Sequence, residues 1–434
     1  MLGGGTFVAQ NKKLPGAYIN VVSASRASAE LSDRGIVALP LSLNWGVTGK
    51  AFKLTSEDMI YNTRFLLGYE YSDKALIALR EAFKHAREVI VYRLDANAKK
   101  ATCTYCDAKF GGVRGNDLKV VITQNVDQSS KFDVKTYLGT VEVDVQHAVG
   151  NTSELVDNEF VVWKDSVAVE LTASTPLTGG ENGTVTSAEW NTAFKALESE
   201  SFNTLGVIAT EDQIKDLAIA YTKRMRDELG VKFQTVVFNK QGVDDKGVIN
   251  VVSHIEGGSG AELVAWVTGA QGGCAVNASC TNMTYDGEYT IDVNKSQPDL
   301  EAHIDNGEFV FHKVGENVNV LVDINSKVTV SEDEGEDFKS NQTIRVIDQI
   351  ANDTALLFNT RYLGKVPNDA SGRISLWNDV VKLHQDLERM RAIEDFVPEE
   401  VIVSKGNDKK SVMISDAVQP VNAMEKLYMT CVVS

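Results

Sequence analysis

Apolar and polar positions alternate through Leu427, Met429, Cys431 and Val433 on one side and Lys426, Tyr428, Thr430 and Val432 on the other. A period of two predicts a β-strand with two different faces. A second run of this kind, "AYINVV" (17–22), follows a Gly-rich polar arm that ends in "KKLPG". A strand is therefore expected near each end of the chain. Its amides and carbonyls need partners on at least one edge.

Between the ends the pattern changes twice. "SDRGIVALPLSLNWG" (32–46) predicts a buried strand with its exit loop, and "EVIVYRL" (88–94) a short apolar strand. "TSEDMIYNTRFLLG" begins with a capping residue and acids and stops at Gly68, and "SDKALIALREAFKHA" (72–86) places Leu76, Leu79, Ala82 and Phe83 on one face. Both read as helices, and strand–helix alternation means an α/β layer. From about 96 to 178, short alternating runs such as "ATCTYC", "DLKVVIT", "FDVKTYL", "TVEVDV", "FVVWKD" and "VAVEL" are separated by turn residues, which predicts a small inserted β-domain.

Helical and strand patterns then alternate again: "SAEWNTAFKALESE", "TLGVIAT", "EDQIKDLAIAYTKRMRDELG" (211–230), "FQTVVF", "GVINVV" and the small-residue helix "GAELVAWVTGAQGG" (260–273). After a mixed stretch that starts near 283, two long helices are expected at 343–364 and 371–393, then strands at 400–404 and 410–415 and the terminal run. The expected fold is α/β and α+β multidomain. It comprises an arm and strand (1–22), an α/β domain (23–95 plus 179–325), an inserted β-domain (96–178) and a C-terminal α/β domain (326–434).

Composition narrows the function more than any motif does. With 43 Lys and Arg against 60 Asp and Glu, the net charge is −17, the wrong sign for coating nucleic acid. No run of about 18 apolar residues is present to span a membrane. The N-terminal stretch lacks the basic start and apolar core of a signal peptide, so folding in a cytoplasm is expected. Five cysteines without a signal read as free thiols. "CTYC" (103–106) has the spacing of half a zinc site but no second pair, and reads as plain strand.

Candidate chemistry is sparse. "GGSG" (257–260) lies between a strand and a helix, faintly like a nucleophile elbow around Ser259, but position 261 is Ala where the elbow needs Gly. "TGGENG" and "GVTGK" are not phosphate loops, and "SEDEGED" (331–337) lacks the spacing of a calcium loop. The six histidines, His85, His147, His254, His303, His312 and His384, are scattered and read as surface residues. No catalytic residue, metal site or cofactor is expected.

What remains is the pair of terminal strands. Exchanged between molecules, they would give β-augmentation through a heterologous contact, which builds rings or helical filaments. Here the text of the chain resembles a known family. "IRVIDQIANDTALLFNTRYLGKVPND", "GRISLWNDVVKLHQDLE" and "VQPVNAMEKLYMTCVV" resemble the tail sheath protein of contractile phage tails and of phage-tail-like bacteriocins from Gram-positive bacteria. "LPGAYINVVS", "RGIVALPLSLNWG", "FGGVRGNDLKVVI", "LTGGENG" and "GAELVAWVTGAQGG" fit as well, so the likeness spans nearly the whole chain, with "CTYC" outside it.

The resemblance implies a structural subunit, not an enzyme. Subunits would stack as hexameric rings around a tail tube and contract to drive the tube through a target cell envelope. Implied partners are other copies of the chain, the tube protein, and baseplate and terminator proteins, with no nucleic acid and no membrane insertion. Synthesis in the host cytoplasm and a mature place in a phage or tail-like particle follow. The inter-subunit strands would be Ala17, Tyr18, Ile19, Asn20, Val21 and Val22, and Leu427, Tyr428, Met429, Thr430, Cys431, Val432 and Val433. A tube-facing helix would carry Arg373, Lys382, Arg389 and Arg391, and the β-domain would face outward. Two alternatives stay open: an α/β hydrolase using Ser259, and a static phage structural protein.

Overall fold

The computed structural model describes residues 31–433. Ile36–Leu41 (β1) reads IVALPL and is buried along nearly its whole length, as is Glu88–Arg93 (β3). Such runs suit strands covered on both faces of a parallel sheet. β1 and β3 pair in parallel, and Ala51–Thr55 (β2) adds antiparallel to β3 as an edge strand. Three short helices follow β2: Ser56–Tyr61 (α1), Thr63–Leu67 (α2) and Ile77–Ala82 (α3). Thr55 and Asp58 form a capping box at α1, and Gly68 ends α2 at φ 77° with the Trp45 ring packed under it.

The inserted β-domain contains Lys100–Thr102 (β4), Cys106–Gly111 (β5), Leu118–Gln124 (β6), Phe132–Leu138 (β7), Val141–Val149 (β8), Val161–Trp163 (β9) and Thr172–Pro176 (β10). β10-β6-β7-β8 form one antiparallel sheet and β4-β5-β9 another. Two sequence expectations shift here. "CTYC" is not one strand but the turn between β4 and β5, and "VAVEL" contributes only the bridge Asn151–Ala168, the strand proper starting at Thr172. The domain is pinned at its base by buried Arg93. Its guanidinium donates to Leu43 O (2.8 Å), Gly46 O (2.7 Å) and Gly111 O (2.8 Å) and lies 3.0 Å from Asp95.

After the insertion, Ser187–Leu197 (α4) leads to Thr204–Gly206 (β11), Asp212–Lys223 (α5) to Gln234–Phe238 (β12) and Val248–Val251 (β13), and Leu263–Gly273 (α6) and Gln297–Asp305 (α7) precede Glu308–Phe309 (β14). The sheet order among the described residues is β14-β13-β12-β11-β1-β3-β2, parallel except for β2. Successive side chains go to opposite faces. Val37, Leu39, Val89 and Val91 join one apolar cluster, while Ala38, Ile90 and Tyr92 pack with Trp190, Phe194 and Tyr221 on the other side. The small residues of α6 allow close approach: a Cβ on Gly269 would lie 2.2 Å from Ala82 O, and one on Gly273 2.0 Å from His85 O.

Phe311–Val314 (β15) and Asn317–Val320 (β16) form a hairpin, and the helix Asn341–Leu357 (α8) follows. Its first turns seat a buried polar cluster. Arg345 Nη2 donates to Asp323 Oδ2 (3.1 Å) and Gln271 Oε1 (2.8 Å), and Nη1 to Ala278 O (2.6 Å). Asp323 also accepts from Gln271, Asn341 and the Cys280 amide. Burial alone would raise the Asp323 carboxyl, but Arg345 and these donors hold it below the usual range. In the mixed stretch after 283, "GEYTIDV" supplies only the bridge of Ile291 to Ile255.

Contacts divide the chain into two compact units. The larger holds Ser32–Asn352, Leu387–Phe396 and the tail from Val418; the smaller holds Asp353–Asp386 and Val397–Ala417. In the smaller unit, Ala370–Arg389 (α9) begins, and Ile402–Lys405 (β18) pairs antiparallel with Val412–Ser415 (β19). In the larger, Ile393–Glu394 (β17) pairs with Gln419–Pro420 (β20).

Asp323→Ala should leave the buried Arg345 guanidinium uncompensated and destabilise the larger unit by about 3–5 kcal/mol. The urea midpoint of that unit's unfolding measures this. Unchanged stability would show that the cluster contributes nothing net.

Candidate assembly interface

The tail is held firmly up to Glu425 and then leaves the fold. Val421 N donates to Ala392 O (2.9 Å), Gln342 Nε2 to Val421 O (3.0 Å), Ala423 N to Gln342 Oε1 (3.0 Å) and Thr281 Oγ1 to Glu425 Oε1 (2.6 Å). Beyond it, residues 427–433 make no hydrogen bond to any described residue and form no ladder. Leu427 is 88% exposed, Tyr428 87%, Met429 79% and Val433 91%. The alternating run is thus an apolar segment with both faces and both edges in water. A strand with that sequence has every reason to pair and, among the described residues, nothing to pair with. The expected strand Ala17–Val22 lies outside the described residues.

The smaller unit carries the complementary feature. β18 and β19 are a two-stranded sheet in the register Ile402↔Ser415, Val403↔Ile414, Ser404↔Met413, Lys405↔Val412. Among the described residues neither outer edge is paired. Ile402 and Met413, on the same face, are both more than half exposed. An isolated hairpin is marginal in water, and this one is braced from α9 on both strands at its open end, away from the turn. Trp377 Nε1 donates to Val401 O (2.8 Å), and His384 Nε2 lies 2.7 Å from Asp416 Oδ2.

The two residues stand seven apart, two turns along one helix. His384 Nδ1 is 2.8 Å from Val380 O. Both ring nitrogens therefore face oxygens that only accept, which the doubly protonated imidazolium satisfies. Burial opposes its charge, but Asp416 and the Val380 carbonyl outweigh that and raise the His384 pKa. Sequence reading had placed this histidine on the surface; it is fully buried. The strands of the hairpin lie close to those expected at 400–404 and 410–415. The turn "GNDKKS" was the available signal: Asp408 Oδ1 accepts from the Lys410 and Ser411 amides.

The four basic residues expected on the tube-facing helix fare differently. Lys382 and Arg389 are exposed and seven residues apart, on the α9 face that also exposes Ile374 and Asn378. Arg373 is half-buried and donates to Asn368 O (3.1 Å) and Oδ1 (3.0 Å). The helix ends at Arg389, not 393, so Arg391 lies past it at φ 61°. The hydrolase candidate has no nucleophile geometry. Ser259 Oγ donates to Glu262 Oε2 (3.1 Å) and accepts from Ala261 N (3.1 Å), a helix-entry cap, and no described histidine bonds to it.

The geometry is that of a subunit with open strand edges, and comparison with known proteins gives its kind. Successive segments match the tail sheath protein Gp18 domain III N-terminal region (34–94), the phage tail sheath protein beta-sandwich domain (95–182), the phage tail sheath protein central domain (183–326) and the phage tail sheath C-terminal domain (333–434). The chain is 32% identical to the uncharacterized protein YqbK of Bacillus subtilis strain 168, over 98% of this chain and 99% of that one. The crystal structure of the sheath tail protein from Desulfitobacterium hafniense superposes with a TM-score of 0.84 at 34% identity, covering 95% of this chain and 99% of that one.

The contracted helical sheath of the anti-feeding prophage shares the fold alone, with a TM-score of 0.57 at 12% identity over 97% and 99% of the two chains. This chain belongs to the phage tail sheath family. It is a tail sheath subunit, a structural protein of phage or tail-like particles and not an enzyme. No helix among the described residues is long and apolar enough to cross a membrane.

Because the His384 pKa is raised, the clamp's stabilisation is complete below the unfolded value near 6.5 and is lost as pH rises through the folded value. The smaller unit should therefore weaken in denaturant as pH rises above about 6.5. His384→Gln should flatten that slope; an identical slope in the variant would place the pH dependence elsewhere.

Proposed function

We propose that this subunit polymerises as stacked hexameric rings around a tail tube and contracts to drive the tube through a target cell envelope. The observation that carries the reading is the exposed, unpaired alternating segment 427–433, held to the fold only as far as Glu425. Leu427–Val433 of one subunit and Ala17–Val22 of another extend the open hairpin β18–β19 of a third, so that backbone hydrogen bonds tie neighbours together while alternate side chains fix register. Seven residues of strand reach about 23 Å, enough to bridge adjacent subunits.

Linked in this way, compact units move as rigid bodies while the links persist. The energy of contraction is stored at assembly and held behind a barrier, so no nucleotide site is required. The face of α9 that exposes Lys382 and Arg389 meets the tube, and the β-domain faces outward. The net charge of −17 keeps free subunits apart until assembly. The subunit is made in the host cytoplasm, and baseplate and terminator proteins cap the ends of the sheath.

A chain truncated after Glu425 should remain folded yet form no hollow cylinders in electron micrographs, whereas the full chain forms them. Cylinders of normal order from the truncated chain would remove the terminal strand from assembly. The double reversal Lys382→Glu with Arg389→Glu should leave empty cylinders intact and lower co-assembly with tubes about tenfold. Undiminished co-assembly would put another face against the tube.

A further inference from the structure

The turn "CTYC" is used by nothing described so far. It joins β4 to β5 so that Cys103 and Cys106 face each other across the hairpin, with Cys103 N donating to Cys106 O (2.9 Å) and the two Sγ atoms 3.6 Å apart. Cys106 is fully buried and Cys103 half-buried. Lys164, just after β9, donates to Cys103 O (2.5 Å) and Thr102 Oγ1 (2.8 Å), which holds its ammonium beside the turn. The pair also sits at the neck of the β-domain. β4 is bonded on its other side to the strand by which the chain leaves, through Thr102 N to Thr178 O (2.8 Å), Thr178 N to Thr102 O (3.0 Å) and Lys99 N to Glu181 O (2.9 Å).

We propose that Cys103 and Cys106 are a reversible disulfide site, closed by exchange with a low-molecular-weight disulfide, that braces the neck of the β-domain when the medium turns oxidising. The Cys103 thiolate attacks one sulfur of the small disulfide RSSR, forms Cys103–S–S–R and expels RS⁻. That RS⁻ takes the Cys106 thiol proton, and the Cys106 sulfur attacks the Cys103 sulfur and expels the second RS⁻, which takes a proton from water. Two protein sulfurs are oxidised and one RSSR is reduced to two thiols.

The division of labour follows the surroundings. The Cys106 thiol hydrogen-bonded to it draws Cys103 down to about 6 against the opposing effect of burial, helped by the Cys106 and Tyr105 amides and by Lys164. The same contact and deeper burial push Cys106 up. A ring this short gains little from loop closure, so the bond suits a reversible device more than a permanent staple.

The test is to equilibrate the full chain in glutathione buffers of rising oxidised fraction, then alkylate, digest and map it by mass spectrometry. The peptide with Cys103 and Cys106 should lose two hydrogens and escape alkylation, and residues 99–111 should exchange amide hydrogens more slowly. Cys106→Ser should instead trap one glutathionyl group on Cys103. In the reduced chain near pH 6.5, Cys103 should alkylate at least about tenfold faster than exposed Cys431. Full alkylation of both residues in every buffer, or a glutathionyl group that persists on Cys103 of the unaltered chain, would overturn the proposal.

Discussion

Residues 427–433 leave the fold exposed, with no backbone hydrogen bond to any described residue, and an alternating apolar segment in that state needs a partner. Burying Leu427, Tyr428, Met429, Val432 and Val433 would yield roughly 8–15 kcal/mol gross. Bringing two molecules together costs about 4–15 kcal/mol before any contact is counted. One such segment would therefore tie a pair of subunits only weakly. A mesh in which each subunit gives and receives strands multiplies the linkage through effective concentration. That balance suits a protein that must stay soluble alone and hold together in an array.

A link of this kind works only if the bodies it joins are stiff. The seven-stranded sheet is covered on both faces, and α6 packs on α3 at backbone contact through Gly269 and Gly273. The Arg345–Asp323 cluster and the bidentate pair of Arg226 with Asp348 (2.6 and 2.8 Å) add buried charges that tolerate little rearrangement. In the smaller unit the hairpin is steadied by Trp377 and His384.

Much of this was legible in the sequence. Long unbroken apolar runs such as IVALPL mark the central strands, and capping residues and glycines mark helix ends, because those signals are local. The terminal run alternates as a strand does, yet in the single chain residues 427–433 form no strand and no ladder, because no described segment pairs with them. Less was visible where a contact joins distant residues. Nothing near His384 announces Asp416 as its partner, and the pairing of Arg345 with Asp323 depends on the packing of α8. "CTYC" was misread because its alternation continues that of β4, while the turn is set by the antiparallel pairing of β4 with β5. The helix at 371–393 was placed well, but which of its basic residues stay exposed depends on the loop that captures Arg373.

The proposed assembly requires that another molecule complete residues 427–433 as a strand. Amide hydrogen exchange of those residues, in dilute subunits and in assembled cylinders, tests it most directly. Exchange at the rate of an unfolded peptide is expected in the free subunit, and strong protection in the cylinder. Protection already present in the dilute subunit, or none in the cylinder, would contradict it.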